Sequence, residues 1–283
     1  MEDVELLKIE EAALNAWPAP LQMLYDGWVL RFTGGHSKRV NSVNPLYASR
    51  LPLDEKIKTC ERVYARLGLP CLFRVPEPVA DSPLTDALTA SGYTSFDPTL
   101  VLGRRLEKGR GPDADVTILE MSHEDWFQMR AHFISVSDED LQAHRTILQC
   151  IVPEMRLLGL FVNGQPVACG MGVVEGALLG FFSIYTDKDW RRKGCAGMIM
   201  SALTDWGLEH GATYGYLQVE GDNDPALAFY QKLGFARCYD YIYYQNPASE
   251  GQAKDGFHKI RACSPKKGKD KGNKTETMSV NSV

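Results

Sequence analysis

The sequence predicts a mixed α/β fold, a sheet flanked by helices and preceded by an accessory α/β half. Three observations carry this. Short β-branched and aromatic runs alternate with segments of helical period. Glycines and prolines stand at the junctions, where helices stop and turns begin. The composition over 283 residues, 44% hydrophobic and 24% charged, is that of a globular chain long enough for one large or two smaller domains.

The first region runs over residues 1–106. In it, "YDGWVLRF" and "RVNSVNP" read as paired strands. "LDEKIKTCERVYARLG" reads as a helix with Ile57, Val63, Tyr64 and Leu67 largely on one side and Gly68 at its end. "CLFRV" is a short strand. "DSPLTDALTASGY" reads as a second helix, with Ser82 as N-cap, Pro83 at the first position and Gly92 as C-cap. Residues 107–115, charged and rich in Gly and Pro, form a linker.

The second region covers 116–246. "VTILE" is a strand, "SHEDWFQMRAHF" a helix capped by Ser122, and "DEDLQAHRTILQ" a further helix. A hairpin follows with its turn at Asn163-Gly164, and Glu175-Gly176 turns the chain into a third strand, "GALLGFFSIYT". Ile199, Leu203 and Trp206 fall at i, i+4 and i+7 of a helix that stops near Gly211. Tyr216–Val219 is strand-like. Asp224 is the expected N-cap of a short helix, with Pro225 at its first position; Gly234 ends that helix and Phe235 starts the last strand. Residues 247–283, rich in Lys, Gly, Ser, Asn and Thr, are expected to be a disordered tail.

The junction "DKDWRRKGCAGMIMSALTDWG" joins the third strand to a helix. A helix start leaves backbone N–H groups without intrahelical acceptors, at the positive end of the dipole. Gly194, Ala196 and Gly197 remove bulk there, and Arg191, Arg192 and Lys193 add charge. This combination suits a phosphate. Its spacing is neither that of a P-loop nor that of a dinucleotide-binding turn. Asp187 and Asp189 are the nearest acids that could neutralise the cations instead.

Arg191-x-x-Gly194-x-Ala196 resembles the [QR]-x-x-G-x-[GA] signature of the GNAT superfamily of acyl-CoA-dependent N-acetyltransferases. The sequel strengthens the resemblance. Asn223, Tyr230 and Leu233-Gly234-Phe235 match the family's pattern of an Asn, a short helix carrying Tyr, and Leu-Gly-Phe. The resemblance covers about residues 116–245. Leu88-x-x-x-Gly92-Tyr93 echoes Tyr230-x-x-x-Gly234-Phe235, so the first region reads as a degenerate second copy of the fold or as ordinary helix–Gly–strand punctuation. It lacks a counterpart of the Arg191–Ala196 turn and is expected to hold no cofactor.

The resemblance implies acetyl-CoA as co-substrate and no metal. Arg191, Arg192, Lys193, Gly194, Cys195, Ala196 and Gly197 would hold its pyrophosphate, chiefly through backbone amides. Ile184, Tyr185 and Thr186 would run beside the pantetheine arm, and Asn223 would bind that arm or the helix-opening loop. Tyr230 would protonate the leaving thiolate, a role suited to a phenol with a reference pKa near 10. Spacing alone makes Tyr230 a core aromatic and Asn223 a turn residue. The third strand carries no carboxylate, so the general base is left among Glu220, a bound water and, at a turn, Glu175. His210 at a helix C-terminus is explained by the dipole.

The expected acceptor is a primary amine of a small molecule such as an amino acid, because the first region could wall off one side of the site. Asp138, Glu139 and Asp140 could attract a cationic amine or serve as helix-start acids. A protein or peptide N-acetyltransferase, or a non-catalytic acyl-CoA-binding module, are the alternatives. The net charge of −5 argues against general nucleic-acid binding. The acidic start lacks a signal-peptide layout, and no membrane span is expected. Seven scattered cysteines without a C-x-x-C pair point to a reduced cytoplasmic setting with neither zinc nor disulfides. A homodimer is left open.

Overall fold

The computed structural model describes residues 3–33, 37–77, 83–109, 111, 115–134 and 137–247. Helix α1 (Asp3–Ala16) is followed by β1 (Leu21–Tyr25) and β2 (Trp28–Phe32). By sequence "YDGWVLRF" is one strand, yet the chain reverses inside it. Asp26 and Gly27 take φ of 42° and 82°, the two left-handed positions of a type I′ hairpin turn. "RVNSVNP" likewise divides, into a 3-10 turn at Lys38–Val40 and β3 (Val43–Pro45) beside β2. Helix α2 (Leu53–Arg66) buries Ile57, Cys60 and Tyr64, while Val63 and Leu67 are only partly covered. Strand β4 (Leu72–Pro76), helix α3 (Pro83–Ala90) and strand β5 (Thr94–Arg105) complete this part. The expected cap Ser82 lies outside the described residues, as do the stretches 112–114 of the linker and 248–283 of the tail.

The second part holds β6 (Val116–Glu120), α4 (His123–Phe133), α5 (Asp138–Gln149), β7 (Glu154–Val162), β8 (Gln165–Glu175), β9 (Leu178–Thr186), α6 (Cys195–Glu209), β10 (Tyr214–Glu220), α7 (Asp224–Lys232) and β11 (Ala236–Gln245). Ser122 caps α4 by accepting from the amide of Asp125 at 3.1 Å. Asn163 and Gly164 form the expected hairpin turn, with φ of 50° and 77°. At α7 the cap is Asn223 rather than Asp224: its Oδ1 accepts from the amide of Ala226 at 3.2 Å, and Asp224 is the first helical residue. An Asn at N-cap satisfies one of the orphan donors there.

Among the described residues eleven strands form one sheet, in the order β1-β2-β3-β4-β11-β5-β10-β9-β8-β7-β6. Strand β5 lies between β10 and β11, antiparallel to both; Thr99 faces Glu220 on one side and Tyr241 on the other. A strand from the first region thus separates the last two strands of the second. Helices cover both faces. Ile9 and Ala13 of α1, Trp126 and Phe127 of α4 and Leu148 of α5 pack with Phe182, Tyr216 and Tyr239. Ile199, Leu203 and Trp206 of α6 pack on Leu160, Leu179, Phe181 and Leu217. Each buried Leu, Ile or Phe side chain among these contributes about 1.5–3 kcal/mol of transfer free energy.

Candidate active site

Strands β9 and β10 run parallel but pair only where Leu178–Gly180 meet Tyr214–Tyr216. Beyond that point they diverge. Strand β9 is also bulged. Its register with β8 shifts between Cys169 and Met171, and Ser183 holds φ of 50°. A bulge bends its strand and re-aims its side chains. The divergence opens a wedge with Ile184 and Tyr185 on one wall and Val219 and Glu220 on the other. Thr186 ends β9, and its buried Oγ1 has no hydrogen-bond partner.

The basic turn follows directly. Asp187 accepts from the amide of Asp189 at 2.9 Å, so its carboxylate serves the turn. Arg192 has φ of 62° and Gly194 of 84°, and α6 begins at Cys195. The amides of Cys195, Ala196 and Gly197 are therefore first-turn donors without intrahelical acceptors. Space beside Gly194 and Gly197 is open. Arg191, Arg192 and Lys193 are exposed. None of them pairs with a carboxylate among the described residues. A cavity of about 380 Å³ beside this turn is lined by Gly194, Gly197 and Ser201 and also by Arg104 and Lys108. The last two come from the end of β5 and the linker, and no local sequence pattern marks them.

Tyr230 sits on α7 with its ring 6.0 Å from Phe235, edge-on, and 5.1 Å from Phe229. Burial pushes its phenol up to about 12, with a smaller contribution from the Tyr185 phenol. It is protonated at neutral pH. Glu220, at the exposed end of β10, and Asn223 border the same cavity as Tyr230, Ile184 and Tyr185. Glu175 and His210 lie elsewhere. Glu175 accepts from Asn15 Nδ2 at 3.0 and 3.1 Å at the β8–β9 turn. His210 Nδ1 lies 2.8 Å from the carbonyl of Trp206.

The cavity beyond the wedge measures about 520 Å³. Its far wall comes from the first region: Trp17, Lys38, Arg39, Asp97 and Thr99. Asp97 owes its aim to a second bulge, where β5 shifts register against β11 and Asp97 takes φ of 53°. It pairs with Lys38. Arg130 of α4, Gln218 of β10, and Tyr241 and Tyr243 of β11 complete the wall. Asp138, Glu139 and Asp140 occupy the first turn of α5 and are not part of this lining. The sequence thus anticipates the turn that opens α6 and the helix that carries Tyr230, and misses the wedge and the basic far wall.

A family model described as "Probable histone acetyltransferase Rv0428c C-terminal" matches residues 4–244. The chain belongs to this family, in the GNAT superfamily. Over 248 residues it is 27% identical to the uncharacterized N-acetyltransferase YobR of Bacillus subtilis, covering 86% of this chain and 98% of that one. A stretch of 63 residues is 40% identical to streptothricin acetyltransferase of Streptomyces lavendulae, covering 22% of this chain and 33% of that one. The fold matches a GCN5-related N-acetyltransferase from Kribbella flavida at a TM-score of 0.62 and 16% identity, over 85% of this chain and 95% of that one. It matches a tandem GNAT protein from the clavulanic acid biosynthesis pathway at 0.52 and 10% identity, over 61% and 63%.

This GNAT protein is accordingly an acyltransferase. Among the described residues no group of three or more His, Cys, Asp or Glu could hold a metal ion. No described helix is long and apolar enough to cross a membrane.

Proposed function

We propose that this acetyltransferase moves the acetyl group of acetyl-CoA to the primary amine of a small molecule. The observation that carries the reading is the β9–β10 divergence, which borders a cavity lined by both Glu220 and Tyr230, while β9 itself runs on into the basic turn that opens α6. The pyrophosphate takes the amides of 192–197, beside Arg191–Lys193. The pantetheine arm lies in the wedge along Ile184–Thr186, and Asn223 fixes the start of α7 against it.

Holding thioester and amine together supplies several kcal/mol of barrier reduction. The amine nitrogen, as the free base, attacks the thioester carbonyl carbon, and the C–S bond breaks. Glu220, directly or through a water, accepts the proton lost by nitrogen. Tyr230 gives its proton to the departing sulfur and regains one from solvent. The products are the N-acetyl amine and free CoA. Residues 1–106 act as an accessory half that walls the acceptor side and binds no cofactor of its own. A cytoplasmic setting suits the six described cysteines, all of which are free.

Calorimetry with acetyl-CoA, followed by a screen of amines for release of free CoA, tests the reading; no binding of any CoA ester overturns it. The family's description favours a second reading, transfer to a lysine of a protein. The walled cavity supports the small acceptor, and acetylation of peptides but not of free amines would reverse the preference.

A further inference from the structure

We infer that the acceptor amine also bears a carboxylate, held by Arg39 and Arg130. This rests on the acetyl-transfer reading above. The two arginines come from separate elements, the 3-10 turn after β2 and helix α4, and line the same cavity. Neither pairs with a carboxylate among the described residues. The Arg39 guanidinium lies 5.9 Å from the ring of Trp17. That of Arg130 lies 5.2 Å from the ring of Tyr185, and its Nη2 reaches the Tyr185 hydroxyl only at 3.5 Å.

Among the described residues the unmet buried side-chain groups of this cavity are donors. Arg130 Nε is buried with no acceptor. So is Gln218 Nε2, whose partner oxygen already accepts from the Tyr241 hydroxyl at 3.1 Å. Buried donors left unpaired are costly, and a guanidinium fork matches a carboxylate in both charge and geometry. Among the described residues the cavity holds three cations against two carboxylates, and Asp97 already neutralises Lys38. The remaining carboxylate, Glu220, stands on β10 and is the candidate base.

Acetyl-CoA does not supply the missing anion. Its phosphates have their own cations at 191–193, outside this lining, and its thioester end is uncharged. The charge must come from the other reactant. A carboxylate at Arg39 and Arg130 with a nitrogen toward Glu220 describes an amino acid or a related amino-carboxylic acid. A polycationic amine would instead meet two like charges in a partly desolvated space.

The experiment compares matched acceptors with the full-length protein: free amino acids, the corresponding amino acid amides and the corresponding decarboxylated amines. Release of CoA is followed for each, together with binding to the CoA-loaded protein. Acids are expected to exceed their amides in kcat/KM by at least about tenfold, since a site built to bond a polar group rejects the analogue lacking it. Arg39→Gln and Arg130→Gln should raise KM for the acids at least about tenfold and collapse the acid-to-amide ratio, with the acetyl-CoA Kd and the Tm retained. A structural role would lower all acceptors together. Equal use of acids and amides, a preference for polyamines, or a panel in which no carboxylate-bearing amine binds or reacts overturns the inference and leaves acetyl transfer standing. Failure to bind acetyl-CoA overturns the reading beneath it.

Discussion

Arg74 of β4 and Glu10 of α1 form a buried, two-pronged ion pair across 64 residues of chain, one prong measuring 2.9 Å. Tyr239 of β11 donates to the same carboxylate. Burial works against the charge of Arg74, and Glu10, with smaller help from Tyr241 and Tyr243, more than reverses that effect. The pair fixes α1, and with it Trp17, over the sheet. Glu10→Gln should therefore destabilise the fold by about 3–5 kcal/mol, because it leaves a buried guanidinium without its counter-charge. Denaturant unfolding reads this directly. The double variant Glu10→Leu/Arg74→Met should recover most of the loss.

His144 gives a pH dependence with a definite sign. It is buried, neither ring nitrogen has a hydrogen-bond partner, and its ring lies 4.8 Å from that of Trp17. Burial, with help from Arg130, lowers its pKa from 6.5 to about 3. As pH falls below 6.5 the unfolded chain takes up a proton that the folded chain refuses, so stability falls. At pH 5 this amounts to about 2 kcal/mol relative to pH 7. His144→Phe should shrink the difference in unfolding free energy between those pH values by that amount; an unchanged difference would refute the assignment.

Tyr230→Phe separates a proton donor from a packing residue. The ring contacts to Phe229 and Phe235 survive the change, so the Tm and the acetyl-CoA Kd should hold. Turnover should fall by about 10²–10⁴-fold when chemistry limits the rate. An acyl donor with a more acidic leaving thiol should narrow the gap.

Gly194→Asp tests the phosphate turn. The neighbourhood is open, so bulk is not the obstacle. The φ of 84° and a negative charge facing the phosphates are. The acetyl-CoA Kd should rise at least about tenfold, near 1.4 kcal/mol. Gly194→Ala isolates the backbone strain, about 1–2 kcal/mol, and should read out mainly in the Tm.

A fragment lacking residues 1–106 should be insoluble. It loses β5, and with it the hydrogen-bonding partner of both β10 and β11. A soluble fragment that binds acetyl-CoA would count against this.

Local chemistry explains what was legible in the sequence. Asn163-Gly164, the helix-ending Gly92 and Gly234, and the Arg191–Gly197 junction each mark a backbone conformation that few residues adopt. Helix α1 left a signal too, in the i, i+3, i+4, i+7 spacing of Ile9, Ala12, Ala13 and Ala16, but alanines are weak markers of a buried face. The hairpin reversal at Asp26-Gly27 was equally available as an Asp-Gly turn. The placement of β5 was not readable, because strand order depends on pairing between distant segments. Nor was the basic wall of the cavity: Arg39 and Arg130 lie far apart in sequence, and only folding brings them to one space.

The position of β5 also sets a timetable for synthesis. The strand is complete at Arg105, whereas its neighbours begin at Tyr214 and Ala236. At about 5–20 residues per second, a ribosome leaves both of its edges unpaired for about 5–20 seconds. A nascent chain stalled in that interval exposes a twelve-residue strand able to recruit a stray one. Slowing elongation between residues 106 and 214 should therefore lower the yield of native protein far more than slowing it after residue 246.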